Sequence, residues 1–310
     1  MKWDKIGLIF TSEKSNSWMN SHAQVPTVMN LGDILRVFFS TRDETGVSRI
    51  ACLDVDARNP INIKQIYENP VLDLGDAGCF DEHGVMPSCV IPNPVDSKQQ
   101  LLFYSGWSRR LEVPYSNLAG VAVSNNGINF KRVGKGPVLT TKLFEPYSAT
   151  SPYVVQKGDD YNMYYSSGTS WQKINGKLEH TYNIKKATSK NGLDWEQLNQ
   201  VCLKENHPEE AITRPTILEL NGMSHMWFCF RGSRDFRGGD DSYRIGYAKL
   251  DENENWVRDD SLAGITISKN GWDSKMVAYP YVVKTNYGIY MFYNGDGFGR
   301  SGFGVAVLDI

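Results

Sequence analysis

Apolar positions along the chain come in short bursts, and five of these bursts open at a proline: Pro26, Pro87, Pro152, Pro215 and Pro280, spaced 61, 65, 63 and 65 residues apart. The same order of runs follows each one. A first apolar run (Pro26-Thr-Val-Met, Pro87-Ser-Cys-Val-Ile, Pro152-Tyr-Val-Val, Pro215-Thr-Ile-Leu, Pro280-Tyr-Val-Val) leads into a polar turn rich in Gly, Asn and Asp. An aromatic-rich second run comes next, for example Ile34-Leu-Arg-Val-Phe-Phe39, Tyr161-Asn-Met-Tyr-Tyr165 and Met226-Trp-Phe-Cys-Phe230. A third run, such as Ala119-Gly-Val-Ala-Val123 or Phe303-Gly-Val-Ala-Val307, closes the unit. Gly, Asn and Asp between two apolar runs predict hairpin turns, because those residues tolerate positive φ. Two units add a fourth segment through Ser124-Asn-Asn-Gly-Ile-Asn-Phe130 and Ser189-Lys-Asn-Gly-Leu-Asp-Trp195. Helical periodicity is nearly absent.

Antiparallel units of three or four strands at this period predict an all-β five-bladed β-propeller. The chain 1–310 reads as one domain with blades starting near residues 22, 83, 148, 211 and 276. The last unit ends soon after its third strand. The N-terminal Lys5-Ile-Gly-Leu-Ile-Phe10 is expected to supply the missing outer strand and close the ring, which removes the unpaired edges that an open ring would expose.

Composition narrows the function classes. Thirty-three basic and 35 acidic residues leave a formal charge of -2 and no basic run, so a nucleic-acid footprint is not visible. The apolar runs are far shorter than the roughly 20 residues a membrane helix needs. The first residues, Met-Lys-Trp-Asp-Lys-Ile, do not read as a secretory leader. Five cysteines at unpatterned spacing (Cys52, Cys79, Cys89, Cys202, Cys229) point away from a disulfide framework and toward a reducing cytoplasm. Aromatic residues make up 12% of the chain, suited to strand cores and to stacking on sugar rings.

In a propeller, the segments just before the five prolines converge at one mouth. They contain Ser21-His22-Ala23-Gln24, Asp81-Glu82-His83-Gly84, Ser148-Ala-Thr-Ser151, Glu209-Glu210-Ala-Ile-Thr-Arg214 and Asp273-Ser-Lys275 with Tyr279. The ends of the second strands add Arg42-Asp43, Trp107, Trp171, Arg231 and Asn294. These mouth segments resemble those of the propeller glycosidases, which implies chemistry at a glycosidic bond with one carboxylic acid and one carboxylate, about 5–5.5 Å apart for retention and 6.5–9.5 Å for inversion. Asp81, Glu82 and His83, opposed by Asp273, are the expected catalytic cluster, with Glu210 as a further carboxylate and His22 as an alternative acid or base. Arg42, Arg214 and Arg231 are the expected anion clamps, and Asp43, expected beside them as a substrate-binding residue, could instead pair with them. Trp107, Trp171 and Tyr279 are expected to stack on sugar rings, and Gln24 and Asn294 to hydrogen-bond hydroxyls. No cofactor is expected, although His22, Asp81 and His83 could hold one divalent ion if they meet.

These segments resemble the five-bladed propeller glycosidases, glycoside hydrolase families 43, 32 and 130. The resemblance runs through Ser21-His-Ala-Gln-Val-Pro26, Ser40-Thr-Arg-Asp43, Phe80-Asp-Glu-His-Gly-Val-Met-Pro87, Ala211-Ile-Thr-Arg-Pro215, Gly271-Trp-Asp-Ser-Lys-Met-Val-Ala-Tyr-Pro280 and Tyr293-Asn-Gly-Asp-Gly297. Within that superfamily the chain is most similar to family 43-like proteins encoded among polysaccharide-biosynthesis genes, some labelled as the N-terminal domain of a glucosamine inositolphosphorylceramide transferase. The resemblance also marks departures. Val25 stands where family 43 places its base Asp, and Thr150 where it places its acid Glu. Trp18-Met-Asn20 begins like the family 32 signature, but Ser21 follows in place of the nucleophile. The expected function is a carbohydrate-active enzyme, hydrolase or transferase, acting on a glycan or sugar nucleotide. The alternatives are a catalytically silent sugar-binding propeller and a protein-binding scaffold.

Overall fold

The computed structural model describes residues 1–13 and 17–309. Nearly all of its regular structure is strand, arranged in consecutive antiparallel meanders. The first runs through β2 (Ser21–Asn30), β3 (Ile34–Arg42), β4 (Ser48–Asp56) and the short β5 (Ile63–Ile66), with β1 (Lys2–Phe10) lying elsewhere. Next come β6 (Gly84–Pro92), β7 (Gln100–Arg109), β8 (Tyr115–Ser124) and β9 (Lys131–Arg132), then β10 (Ala149–Lys157), β11 (Asp160–Ile174), β12 (Lys177–Ser189) and β13 (Glu196–Leu203). A separate sheet holds β14 (Ala211–Leu220), β15 (Met223–Arg231), β16 (Arg244–Leu250) and β17 (Trp256–Arg258). The last holds β18 (Ala278–Lys284), β19 (Ile289–Asn294) and β20 (Phe303–Asp309). As the sequence predicts, β1 supplies the outer strand of that last sheet, pairing antiparallel with β20 from Lys2↔Asp309 to Phe10↔Phe303.

The first three meanders touch through single parallel bridges, Ser48↔Gly84 and Leu118↔Ala149, at the ends where their inner strands begin. Beyond these bridges the inner strands pack on the neighbouring meander, β6 against β2 and β3 and β10 against β6 and β7. Central strands are buried on both faces: Val37, Phe38 and Phe39 of β3, Trp227 and Phe228 of β15, and Met291 and Phe292 of β19 are fully enclosed. Their aromatic and β-branched content follows from this, since wide side chains fill the wedge between stacked sheets. The turn signals also hold locally. Ser124 Oγ accepts the amides of Asn126 and Gly127, and Asn126 Oδ1 accepts those of Ile128 and Asn129. Ser189 and Asn191 repeat the arrangement one meander later.

One local expectation needs correcting. Asp81-Glu82-His83, Ser148, Glu209-Glu210 and Asp273-Ser274-Lys275 do precede the strands, but the residues directly before each proline are not loop: they open β2, β6, β10, β14 and β18. Each carries a register shift near its proline. In four of them the residue before the proline has positive φ: Val25 at 52°, Ser151 at 51°, Arg214 at 59° and Tyr279 at 53°. A residue before proline ordinarily stays extended, and a β-branched residue at positive φ is a true outlier. Each such residue costs on the order of 1–3 kcal/mol and persists only where the surroundings enforce it.

Candidate functional site

The recurrent bulge has a common consequence. Val25, Ser151, Arg214 and Tyr279, together with Met86 at the same position of β6, all line one pit of about 450 Å³. A bulge turns a side chain out of the regular alternation, so the strained residue is aimed at the pit instead of into the sheet. Strain concentrated around one concavity is a mark of a binding site.

Charge in the pit is one-sided. Its walls present four guanidiniums, Arg42, Arg214, Arg231 and Arg237, and one carboxylate, Glu179. Glu179 is already bound through both oxygens by Arg237, at 2.6 and 2.9 Å. Arg214 is buried and spans to the neighbouring inner strands. It donates to the carbonyls of Pro87, Val25 and Pro26 and to Thr27 Oγ1. Burial lowers its pKa to about 10, so it stays charged at neutral pH. Arg231 lies over the Phe236 ring, its guanidinium 3.8 Å from the centroid, and donates to the carbonyls of His180 and Gly232. Arg42 donates through Nε to Gln24 Oε1, and burial pulls its pKa down.

Beside Arg231, which donates to the His180 carbonyl, stands an uncharged, aromatic wall. Trp171 stacks on His180 with ring centroids 4.2 Å apart, and Tyr115 packs edge-on against Trp171. Burial, then the nearby Arg231 charge, pushes His180 down to about 3, so its ring is neutral. Several buried polar atoms here have no hydrogen-bond partner: Asn117 Oδ1, Ser148 Oγ, Thr150 Oγ1, His180 Nε2 and Arg231 Nε, all on pit-lining residues. A buried unpaired polar group costs about 1–3 kcal/mol, and so many at one place argue for a polar ligand. Gly168 makes room here, since a Cβ on it would lie 2.5 Å from His180 Nε2 and 2.6 Å from Ser148 Oγ.

The expected catalytic cluster is elsewhere, and its carboxylates hold the sheets together. Asp81 is fully buried, accepting from Tyr104 Oη at 2.9 Å and Arg132 Nε at 2.7 Å. Asp273 accepts from Lys5 Nζ at 2.6 Å and Tyr293 Oη at 3.0 Å. Glu210 is bound through both oxygens by Arg258, at 2.8 and 2.9 Å. The plan is shared: a carboxylate ahead of the inner strand ties down a base on the outermost strand, β9, β1 or β17, and in two cases the central-strand tyrosine. Glu145, unrecognised in the sequence, does the same work, accepting from Tyr165 Oη and Ser167 Oγ. Its offset before Pro152 matches that of Asp273 before Pro280, a regularity the sequence contains. These residues recur because four of the five meanders carry such a tie, not because one pit needs many acids.

Other expected residues divide in the same way. Gln24, Arg42, Trp107, Trp171, Arg214, Arg231 and Tyr279 line the pit. Glu82 accepts the Gly78 amide and His83 packs near Trp107, neither on the pit wall. His22 contacts Ser21 Oγ and is held down to about 4 by burial, then by Arg42 and Arg300. Asp43 closes a turn with Thr45 and pairs with Arg49 rather than with a clamp arginine. Asn294 bonds Ala23, Val25 and Gly302 backbone. His22, Asp81 and His83 do not form a metal-binding group; among the described residues no such cluster of three His, Cys, Asp or Glu exists. Val25 and Thr150, in the seats where family 43 carries its carboxylates, do line the pit but cannot ionise. Sequence reading missed Glu179, Arg237, His180, Tyr182, Tyr243 and Phe236. They sit on hairpin extensions of β11 and β12 and on the β15–β16 loop, outside the repeat that guided the search.

Among the described residues, no helix is long and apolar enough to cross a membrane. No family model matches the chain. Two Mycobacterium tuberculosis proteins, uncharacterized protein Rv1502 and uncharacterized protein MT1551, are each 34% identical over 311 residues, covering all of both chains. Among solved structures, a glycosyl hydrolase from Bacteroides ovatus superposes with a TM-score of 0.72 at 14% identity, covering 99% of this chain and 93% of that one. A member of the GH130 family of mannoside phosphorylases and hydrolases that target β-1,2 mannosidic linkages superposes at 0.74, with 14% identity and coverage of 99% and 93%. The chain shares the fold of these glycoside hydrolases.

Proposed function

Because the chain belongs to the same family as the M. tuberculosis protein Rv1502 and has the propeller glycosidase fold, we propose that its meanders form a single five-bladed ring, closed by β1, whose central pit binds and transforms a carbohydrate. The observation that carries this reading is the wall made by Trp171, Tyr115 and His180 together with the unpaired buried polar atoms of Asn117, Ser148 and Thr150. Flat rings beside neutral hydrogen-bonding groups match a sugar, which offers an apolar ring face and a rim of hydroxyls. Glycosidic chemistry in the pit would use Glu179 as its acid or base, the one carboxylate on the wall among the described residues. The enzyme reading requires substrate to loosen the Glu179–Arg237 pair, since a carboxylate held by two short N–H donors gives up no proton. Turnover of a panel of aryl glycosides and nucleotide sugars, read by mass change, tests it. Glu179→Gln should then lower kcat by about 10²- to 10⁴-fold, the usual worth of general acid–base catalysis.

A second reading, a sugar-binding propeller without chemistry, is favoured by that same pairing and by the absence of a second wall carboxylate among the described residues. Two-carboxylate hydrolysis needs both acids across one cleft. Retention of sugar binding with no turnover of any panel member, in wild type and Glu179→Gln alike, would establish it.

A further inference from the structure

We infer that the carbohydrate taken by this pit is phosphorylated, its phosphoryl group anchored by Arg42 and its sugar ring against the Trp171–His180 wall. The inference rests on the carbohydrate reading of the same pit and adds the class of ligand.

Arg237 is neutralised by Glu179, which leaves Arg42, Arg214 and Arg231 facing the pit with no carboxylate partner. Guanidiniums taken from water without a counter-ion are costly, and a fold keeps three of them at one concavity only if something negative comes to meet them. Donors still open on each arginine separate their roles. Arg214 commits both terminal nitrogens to carbonyls and a threonine hydroxyl, and Arg231 commits both of its own to carbonyls and Ser233, leaving a single N–H at Nε and no fork. Both are fixed charges that set the potential. Arg42 is tied only through Nε to Gln24, so its two terminal nitrogens form the open fork that phosphate oxygens accept.

The amount of charge selects the anion. A phosphomonoester carries about −1.5 to −2 at neutral pH, closer to the three unmatched guanidiniums than the single charge of a uronate. Neutral His180 places no further charge on the aromatic wall, which is left for the ring and hydroxyls of the sugar.

Isothermal titration with a hexose 1-phosphate, a nucleoside diphosphate hexose, a uronic acid, inorganic phosphate and the free hexose tests this, using wild type, Arg42→Gln, Arg42→Lys and Trp171→Ala. One of the two phosphorylated sugars should bind at least tenfold more tightly than the free hexose, the uronic acid and inorganic phosphate. Which of the two it is identifies the source of the phosphoryl group. Arg42→Gln should weaken it about 10- to 100-fold, the worth of charge-assisted hydrogen bonds, with Arg42→Lys in between and free-hexose binding unchanged. Affinity should fall as NaCl is raised, as for any contact between partly exposed charges. Equal affinity for hexose and hexose phosphate, or for uronic acid and hexose phosphate, overturns the inference and leaves the carbohydrate reading standing. Inorganic phosphate binding as tightly as the sugar phosphate, with Trp171→Ala without effect, leaves an anion seat but overturns the carbohydrate reading. No binding by any of the five overturns both.

Discussion

Asp81 separates the two roles that a carboxylate near a propeller mouth can have. In the structure it is a tie, accepting from Tyr104 of β7 and Arg132 of β9 with its side chain fully enclosed. Asp81→Asn keeps the shape but leaves the Arg132 guanidinium, whose side chain is 19% exposed, without its counter-ion. Removing one partner of a buried pair costs about 3–5 kcal/mol. The partial exposure of Arg132 lets water recover some of that, which brings the expected loss to about 2–4 kcal/mol. With an unfolding entropy near 2.1 cal/mol/K per residue over 310 residues, such a loss lowers Tm by about 3–6 °C. Scanning calorimetry measures the shift, and titration of the folded variant with the wild-type ligand measures the pit. Asp81→Leu combined with Arg132→Met, which removes the stranded charge, should lose less than Asp81→Asn alone. A Tm within about 1 °C of wild type, or lost ligand binding at an unchanged Tm, would refute the assignment of Asp81 as a tie.

Acid should destabilise the protein through its neutral histidines. His180 at about 3 and His22 at about 4 both lie below the unfolded value of 6.5. Below pH 6.5 the unfolded chain therefore binds protons that the folded chain refuses, and stability falls with pH until the folded values are reached. Denaturant midpoints between pH 7 and 4.5 should show a slope that His180→Gln reduces by about one proton; an unchanged slope would mean that His180 is charged in the fold. Ser151→Gly relieves a positive φ of 51° and should raise stability by about 1 kcal/mol in urea unfolding, because glycine adopts that region freely. Gly168→Ala should do the reverse, costing about 1–3 kcal/mol and weakening ligand binding, as its methyl group meets His180 and Ser148.

Much of the strand pattern was written in the chain. Prolines, hairpin turns and aromatic second runs mark the strands closely, and the partner of the last meander could be named because Lys5–Phe10 was an apolar run with no sheet of its own. These are local properties: alternation and turn chemistry act within a few residues, and repetition multiplies their legibility. The pit was legible only where the repeat defines it. Gln24, Arg42, Arg214 and Tyr279 could be named because they stand at fixed distances from the prolines. Tertiary structure alone decided what the carboxylates do. Asp81, Asp273 and Glu210 have the residue type of catalytic acids and stand ahead of the inner-strand prolines, yet each meets a base from an outer strand far along the chain. A sequence shows a charge but not its counter-ion, and the counter-ion determines whether that charge is a strut or a reagent. The same holds for Glu179 and Arg237, which come from the β11–β12 hairpin and the β15–β16 loop and acquire meaning only where the two meet over the pit.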